Sequence, residues 1–285
     1  MDDLGVALAT GGEDIRMLGG GQPAHIPEID AVWRRRMEEI MAEDGGLEQM
    51  LGDYEGPAGN EEFRIALAGL LHREFGWKVG PENVAITAGG QTAFFFLFNS
   101  LGGRFPDGRH KKVLLPLVPE YIGYASQSAG GDLFRGMKPR IDLIGEHEFK
   151  YRVDFDSLLI DKDVAAICVS RPTNPTGNVL TDGEIRQLAG LAEEHSIPLI
   201  IDNAYGAPFP NIIFGEGTPI WNENIILTQS LSKTGLPGTR TGIVIARKEV
   251  IRWVASMTSI VGLSNTNAGQ AIICLLYTSP SPRDS

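Results

Sequence analysis

From Asn83 onward the chain alternates short apolar runs with longer amphipathic stretches, and this alternation limits the fold more than any other feature. Strands crossed over by helices build a mostly parallel sheet covered on both faces. Val84 to Thr87 reads as a strand, followed by the Gly89-Gly90 turn and a helix over Thr92 to Leu101. Val113 to Leu117 and Ala165 to Ser170 are further strands, and a helix runs from Thr181 to about His195. Thr181 with Glu184 three residues later is a capping box, which marks that helix start. Strands then end at Asp202 and near Ser230, and Gly242 to Ala246 forms one more. In open parallel sheets ligands bind beyond the carboxyl ends of strands, so these termini are where chemistry is expected.

The first fifty residues differ in character. LGGGQP, Leu18 to Pro23, is a loop with little side chain, and Glu28 to Ala42 is an amphipathic helix whose Arg34 to Arg36 triplet forms a solvated face. At the other end the apolar pattern of Gln270 to Leu276 gives way to YTSPSPRDS. Its two serine-proline pairs cannot extend a helix. It is either a short disordered terminus or, as the abrupt loss of pattern favours, a segment foreign to the protein.

Composition narrows the function classes. Of 285 residues 42% are hydrophobic, enough for one large core and part of a second. Lysine and arginine number 25 against 36 acidic residues, a formal net charge of -11, which disfavours nucleic acid or an anionic membrane as the main partner. The start MDDLGVALAT lacks the basic residues of a secretory peptide and no apolar run has spanning length, so a cytoplasmic location is expected. Cys168 and Cys274 read as buried thiols, and the five histidines show no ligand spacing, so no metal is expected.

Lys233 stands in SLSKTGLPGTR, between small hydroxyl residues and a glycine-rich turn that ends at Arg240. An amine there can condense with a pyridoxal phosphate aldehyde while the hydroxyls and guanidinium hold the phosphate, although a lone loop lysine is more often a solvated charge. Asp202 closes a buried strand, where a carboxylate is costly unless a cation such as a protonated pyridine nitrogen faces it; taken alone it would be a turn cap. Tyr205, three residues on, and Asn174 in the rigid RPTNPTGN turn can both reach a cofactor phenolic oxygen. Asn174 precedes Asp202 by 28 residues and Asp202 precedes Lys233 by 31, a spacing more telling than any of the three alone. The Gly89-Gly90-Gln91 turn opens a helix and suits an anion. Tyr121 in VPEYIGY is placed to stack on a ring, though an aromatic there is as often core.

Taken in order, GGGQPAHIPE, YEGPAG, AGGQTAFFFLFN, PLVPEYIGYA, SRPTNPTGN, IDNAYGAPFP and SLSKTGLPGTR resemble the fold type I, class I/II pyridoxal phosphate aminotransferases, over about Leu18 to Cys274. The resemblance implies an α/β large domain with a mostly parallel seven-stranded sheet flanked by helices. It implies that Lys233 is the Schiff-base lysine and proton carrier, that Asp202 pairs with the pyridine nitrogen, that Asn174 and Tyr205 bind the phenolic oxygen, and that Tyr121 stacks on the ring. Gly90 and Gln91 amides, Ser230 and Arg240 would hold the phosphate, and Tyr54 would reach the phosphate of a neighbouring subunit in a homodimer. Gly20 and Gly21, with Asn174, would line the substrate pocket. The implied reaction is ping-pong transamination between an aliphatic amino acid of the valine or alanine type and a 2-keto acid of the pyruvate type. Another enzyme of the same fold, such as a lyase or decarboxylase, or a non-catalytic cofactor-binding module, shares the same cofactor residues.

Two departures follow. The family commonly has serine where Gly90 stands, with Thr92 a possible substitute, and no residue matches the arginine that grips the substrate carboxylate. The expected organisation is an N-terminal arm over residues 1–50, a cofactor-binding domain over 51–274 and a non-native tail over 275–285, with the small domain largely missing. Such a chain reads as a fragment, able to bind cofactor but poorly equipped for turnover.

Overall fold

The computed structural model describes residues 22–213, 215 and 217–278. Gly20 and Gly21, and the end of the tail from residue 279, lie outside the described residues. In chain order the helices are α1 (Pro27–Ala42), α2 (Gly46–Gly52), α3 (Glu61–Phe75), α4 (Gly90–Leu101), α5 (Asp182–Glu194), α6 (Lys248–Gly262) and α7 (Ala268–Thr278). The strands are β1 (Val84–Ala88), β2 (Gly103–Arg104), β3 (His110–Leu115), β4 (Phe134–Gly136), β5 (Arg140–Ile144), β6 (Glu148–Arg152), β7 (Val164–Ser170), β8 (Leu199–Asp202), β9 (Ile225–Ser230) and β10 (Thr241–Ile245).

The main sheet runs β1-β10-β9-β8-β7-β3, with β4 parallel to β3 and the two-residue β2 antiparallel to it on the same side. Without β2 this is the expected seven-stranded sheet. The β3-β7-β8-β9 steps are parallel, while β10 is antiparallel to both β9 and β1. Strands covered on both faces need apolar side chains on both, which explains unbroken runs such as AAICVS. Ile167 and Val169 face one core with α3, α5 and α7; Ala166 and Cys168 face the other, built on Phe94, Phe96 and Phe98 of α4 and Val250 and Val254 of α6. β5 and β6 form a separate hairpin.

The Thr181 capping box forms: Thr181 Oγ1 accepts from the Glu184 amide at 3.2 Å, and the Thr181 amide donates to Glu184 Oε2 at 2.9 Å. α7 runs two residues beyond the apolar pattern of Gln270 to Leu276, through Thr278, and Tyr277 is buried and stacks on Phe63 with centroids 5.6 Å apart. Cys168 is buried as expected, whereas Cys274 sits only partly covered at the rim of α7. No described helix is long and apolar enough to cross a membrane, and no group of three or more His, Cys, Asp or Glu placed to hold a metal ion occurs among the described residues.

Candidate active site

The carboxyl ends of β7, β8 and β9 and the start of α4 open on one cavity of about 400 Å³, lined among others by Gly90, Gln91, Tyr121, Asn174, Asp202, Tyr205, Ser230, Lys233 and Arg240. Gly90 and Arg240, 150 positions apart, thus meet in one place with the residues between them because parallel strands bring their carboxyl ends to one edge.

Asp202, the last residue of β8, forms the buried end of this cavity. Tyr124 donates its hydroxyl to Oδ2 at 2.7 Å and the Ala204 amide donates to Oδ1 at 3.0 Å. Burial raises the Asp202 carboxyl above its ordinary range, while the Tyr124 and Ala204 donors and the nearby Lys233 amine pull it back. Desolvation still prevails, so this carboxylate is short of positive charge and suits a cationic group entering the cavity.

Lys233 follows β9 on a single 3-10 turn, Leu231–Thr234, which Gly235 ends. Its Nζ lies 5.4 Å from the centre of the Tyr205 ring. Burial lowers the amine pKa and the Asp202 charge opposes that shift. Burial and the Asp202 charge raise the Tyr205 phenol, and the Asn174 side chain works against them. Tyr121 meets Tyr124 edge to face, with centroids 5.5 Å apart and planes at 89°, and Gln91 Nε2 donates to its hydroxyl at 3.3 Å.

At the opposite side α4 starts without a side-chain cap at Gly89, leaving its first amides directed outward. Gly89 has φ +87°, and a Cβ built there would overlap the Arg240 guanidinium. Only glycine permits this close approach. Arg240 Nη1 also donates to Ser232 Oγ at 3.5 Å, and Ser230 Oγ donates to Ser232 Oγ at 3.0 Å, so a guanidinium, two hydroxyls and a helix start converge. That set has the chemistry of a phosphate cradle.

The sequence family described as Aminotransferase class I and II matches residues 134–278, just over half of the chain. The chain belongs to this family. It is 50% identical over 274 residues to valine-pyruvate aminotransferase of Escherichia coli (strain K12), a match covering 96% of this chain and 65% of that protein. The crystal structure of valine-pyruvate aminotransferase from Salmonella typhimurium LT2 superposes with a TM-score of 0.84 at 50% identity, over 92% of this chain and 65% of the other. A putative amino-acid aminotransferase from Psychrobacter arcticum 273-4 gives a TM-score of 0.92 at 43% identity, over 98% and 67%. The chain therefore spans about two thirds of the length of the relatives it matches.

For a class I and II aminotransferase, most of the expected site residues fall in the one cavity. Tyr54 does not: it lies beyond α2, 81% exposed. Thr92, the possible substitute for a serine at Gly90, donates its hydroxyl to the Ala88 carbonyl at 3.0 Å. Arg240 is the arginine among the described residues that line the cavity. Sequence reasoning missed Tyr124, Ser232 and Ser170. Ser232 was readable from the run of hydroxyls beside Lys233, but Tyr124 and Ser170 carry no local signal.

Proposed function

We propose that the chain is the cofactor-binding part, over residues 51–274, of a cytoplasmic, homodimeric, pyridoxal 5'-phosphate-dependent aminotransferase. It exchanges an amino group between an aliphatic amino acid of the valine or alanine type and a 2-keto acid of the pyruvate type, by a ping-pong mechanism. The carrying observation is the position of the half-buried Lys233 amine in one cavity with the buried Asp202 carboxylate and with the Arg240, Ser230 and Ser232 cradle.

The residues present fit this cofactor. Asp202, raised by burial and needing a cation, would hold the proton of a pyridine nitrogen. The Gly90 and Gln91 amides, Ser230 and Arg240 would take the phosphate, Tyr121 would cover one ring face, and Asn174 and Tyr205 would donate to the phenolic oxygen. Tyr54, exposed on the surface, would reach the phosphate bound by the partner subunit. The chemistry the cofactor supplies when bound is an aldehyde to take up an amino group and a ring to accept electrons. Lys233 Nζ, kept closer to neutrality by burial, accepts the substrate α proton and returns it. The Asp202 carboxyl, oriented by Tyr124 and Ala204, would pair with the cationic ring nitrogen, whose charge would favour its ionised form.

Borohydride treatment of the chain saturated with pyridoxal 5'-phosphate, followed by peptide mass mapping, tests this reading. A reduced adduct on Lys233 is expected; an adduct on another lysine, or none, overturns it. Single-turnover mixing with L-valine then checks the substrate class through release of the matching 2-keto acid.

A further inference from the structure

Glu120 immediately precedes Tyr121 in the segment that follows β3, and its side chain crosses to the end of β7. The Ser170 amide donates to Glu120 Oε1 at 2.9 Å, and the Ser170 hydroxyl meets Oε2. The geometry of the sheet explains why a side chain is needed there. The Arg171 amide points to β8, donating to the Asp202 carbonyl at 2.9 Å, so the Ser170 amide points to the opposite side, toward β3. β3 ends at Leu115 and offers no further carbonyl at that level. Glu120 supplies the acceptor that the neighbouring strand does not.

Ser170 is buried, lines the cavity, and stands in register with Asp202 on β8. The Glu120 bridge therefore connects the backbone that carries the Tyr121 ring to the strand end beside Asp202. The titratable groups facing Glu120 are Asp202, Tyr124 and Cys168, and burial holds the last two neutral. Desolvation first, and the Asp202 charge second, push the Glu120 carboxyl up to about 8 against the Ser170 hydrogen bonds.

We infer that Glu120 is a positioning residue for the bound ring. Its two carboxyl oxygens accept from the Ser170 amide and the Ser170 hydroxyl, and so tie the backbone that carries the Tyr121 ring to the strand end beside Asp202. The role rests on the cofactor reading above, but the state of the carboxyl does not.

Two measurements test it. Infrared difference spectra of the cofactor-free chain between pH 7 and pH 9 should show loss of a carboxylic acid carbonyl band that Glu120→Gln lacks. Titration with pyridoxal 5'-phosphate at pH 7 should give Glu120→Gln an affinity within about twofold of the unsubstituted chain, because its amide oxygen still accepts from the Ser170 amide and its NH2 can donate to the Ser170 hydroxyl oxygen, and Glu120→Ala a loss of about tenfold. A band that persists in Glu120→Gln, a glutamine variant as weak as the alanine variant, or an alanine variant with unchanged affinity each overturns the proposal. If Glu120→Ala does not fold, the glutamine variant decides through its spectrum and its affinity. If the unsubstituted chain takes up no cofactor, the functional reading and the positioning role both fail, while the infrared band still reports Glu120 independently.

Discussion

Tyr124 donates its hydroxyl to Asp202 Oδ2 at 2.7 Å, and both residues are buried. The Tyr124 ring is fixed by Phe94 and Phe98, with centroids 4.9 and 5.3 Å away, so its hydroxyl has little freedom to turn elsewhere. With the Ala204 amide on Oδ1 at 3.0 Å, both carboxylate oxygens are oriented before any ligand arrives. An oriented, desolvated carboxylate is what a ring cation needs, because no reorganisation remains to be done on binding.

Tyr124→Phe removes one donor and keeps the ring packing. The Asp202 carboxyl, already raised by burial, should rise further, since the Tyr124 hydrogen bond works to lower it. Affinity that depends on the ionised carboxylate is present above the Asp202 pKa and lost as pH falls through it, so in the variant that loss begins at higher pH. A weakening of about tenfold at pH 7 is expected. Absorbance titration with pyridoxal 5'-phosphate across pH checks it, and an unchanged profile would show that Tyr124 only fills space.

Gly89→Ala should act on the phosphate and spare the ring. A Cβ at this position, where φ is +87°, overlaps the Arg240 guanidinium. The arginine must move away from Ser232 and the start of α4. Affinity for pyridoxal 5'-phosphate should fall about tenfold or more, while affinity for pyridoxal, which has no phosphate, should be retained. Equal losses for both would place the damage in the fold and not in the cradle.

Much of this site was legible because parallel strands announce their own ends. β7, β8 and β9 are covered on both faces, so their apolar runs are continuous and stop where Ser170, Asp202 and Thr228 begin the cavity. The helix Asp182–Glu194 was marked by the Thr181 capping box. β4 has three residues, too few for a period, and β5 and β6 form a largely exposed hairpin whose side chains show no core-directed alternation. Tyr124 was illegible for another reason. Its partner lies 78 residues away, and an aromatic in YIGYA looks like core until the fold brings it to a carboxylate. The Glu120 bridge to Ser170 spans 50 residues and is hidden in the same way.

The reactivity of Lys233 should depend on pH through Asp202. Burial lowers the amine below its ordinary value of 10.5, and the Asp202 carboxylate works in the other direction. Capture of pyridoxal by Lys233, quenched with borohydride and quantified by peptide mass, should rise with pH and level off below pH 10.5. Asp202→Asn removes the carboxylate that holds the amine up, so the plateau should be reached at lower pH. A shift to higher pH would mean that the two groups do not interact as their positions require.

Gly123→Ala tests whether the Tyr121 ring must hold its angle. A Cβ at Gly123 would overlap the Tyr121 ring and lie 2.8 Å from Gln91 Nε2. Gln91 is itself held, because Gln127 Nε2 donates to its Oε1 at 2.8 Å, so the ring has to give way. The visible circular dichroism of bound pyridoxal 5'-phosphate should lose much of its amplitude, and affinity should drop by about 1 kcal/mol, in the range of a lost aromatic stack. Tyr121→Phe keeps the ring and loses only the 3.3 Å hydrogen bond from Gln91, so it should retain most of the signal. If both variants behave alike, the hydroxyl and not the ring face is what Tyr121 contributes.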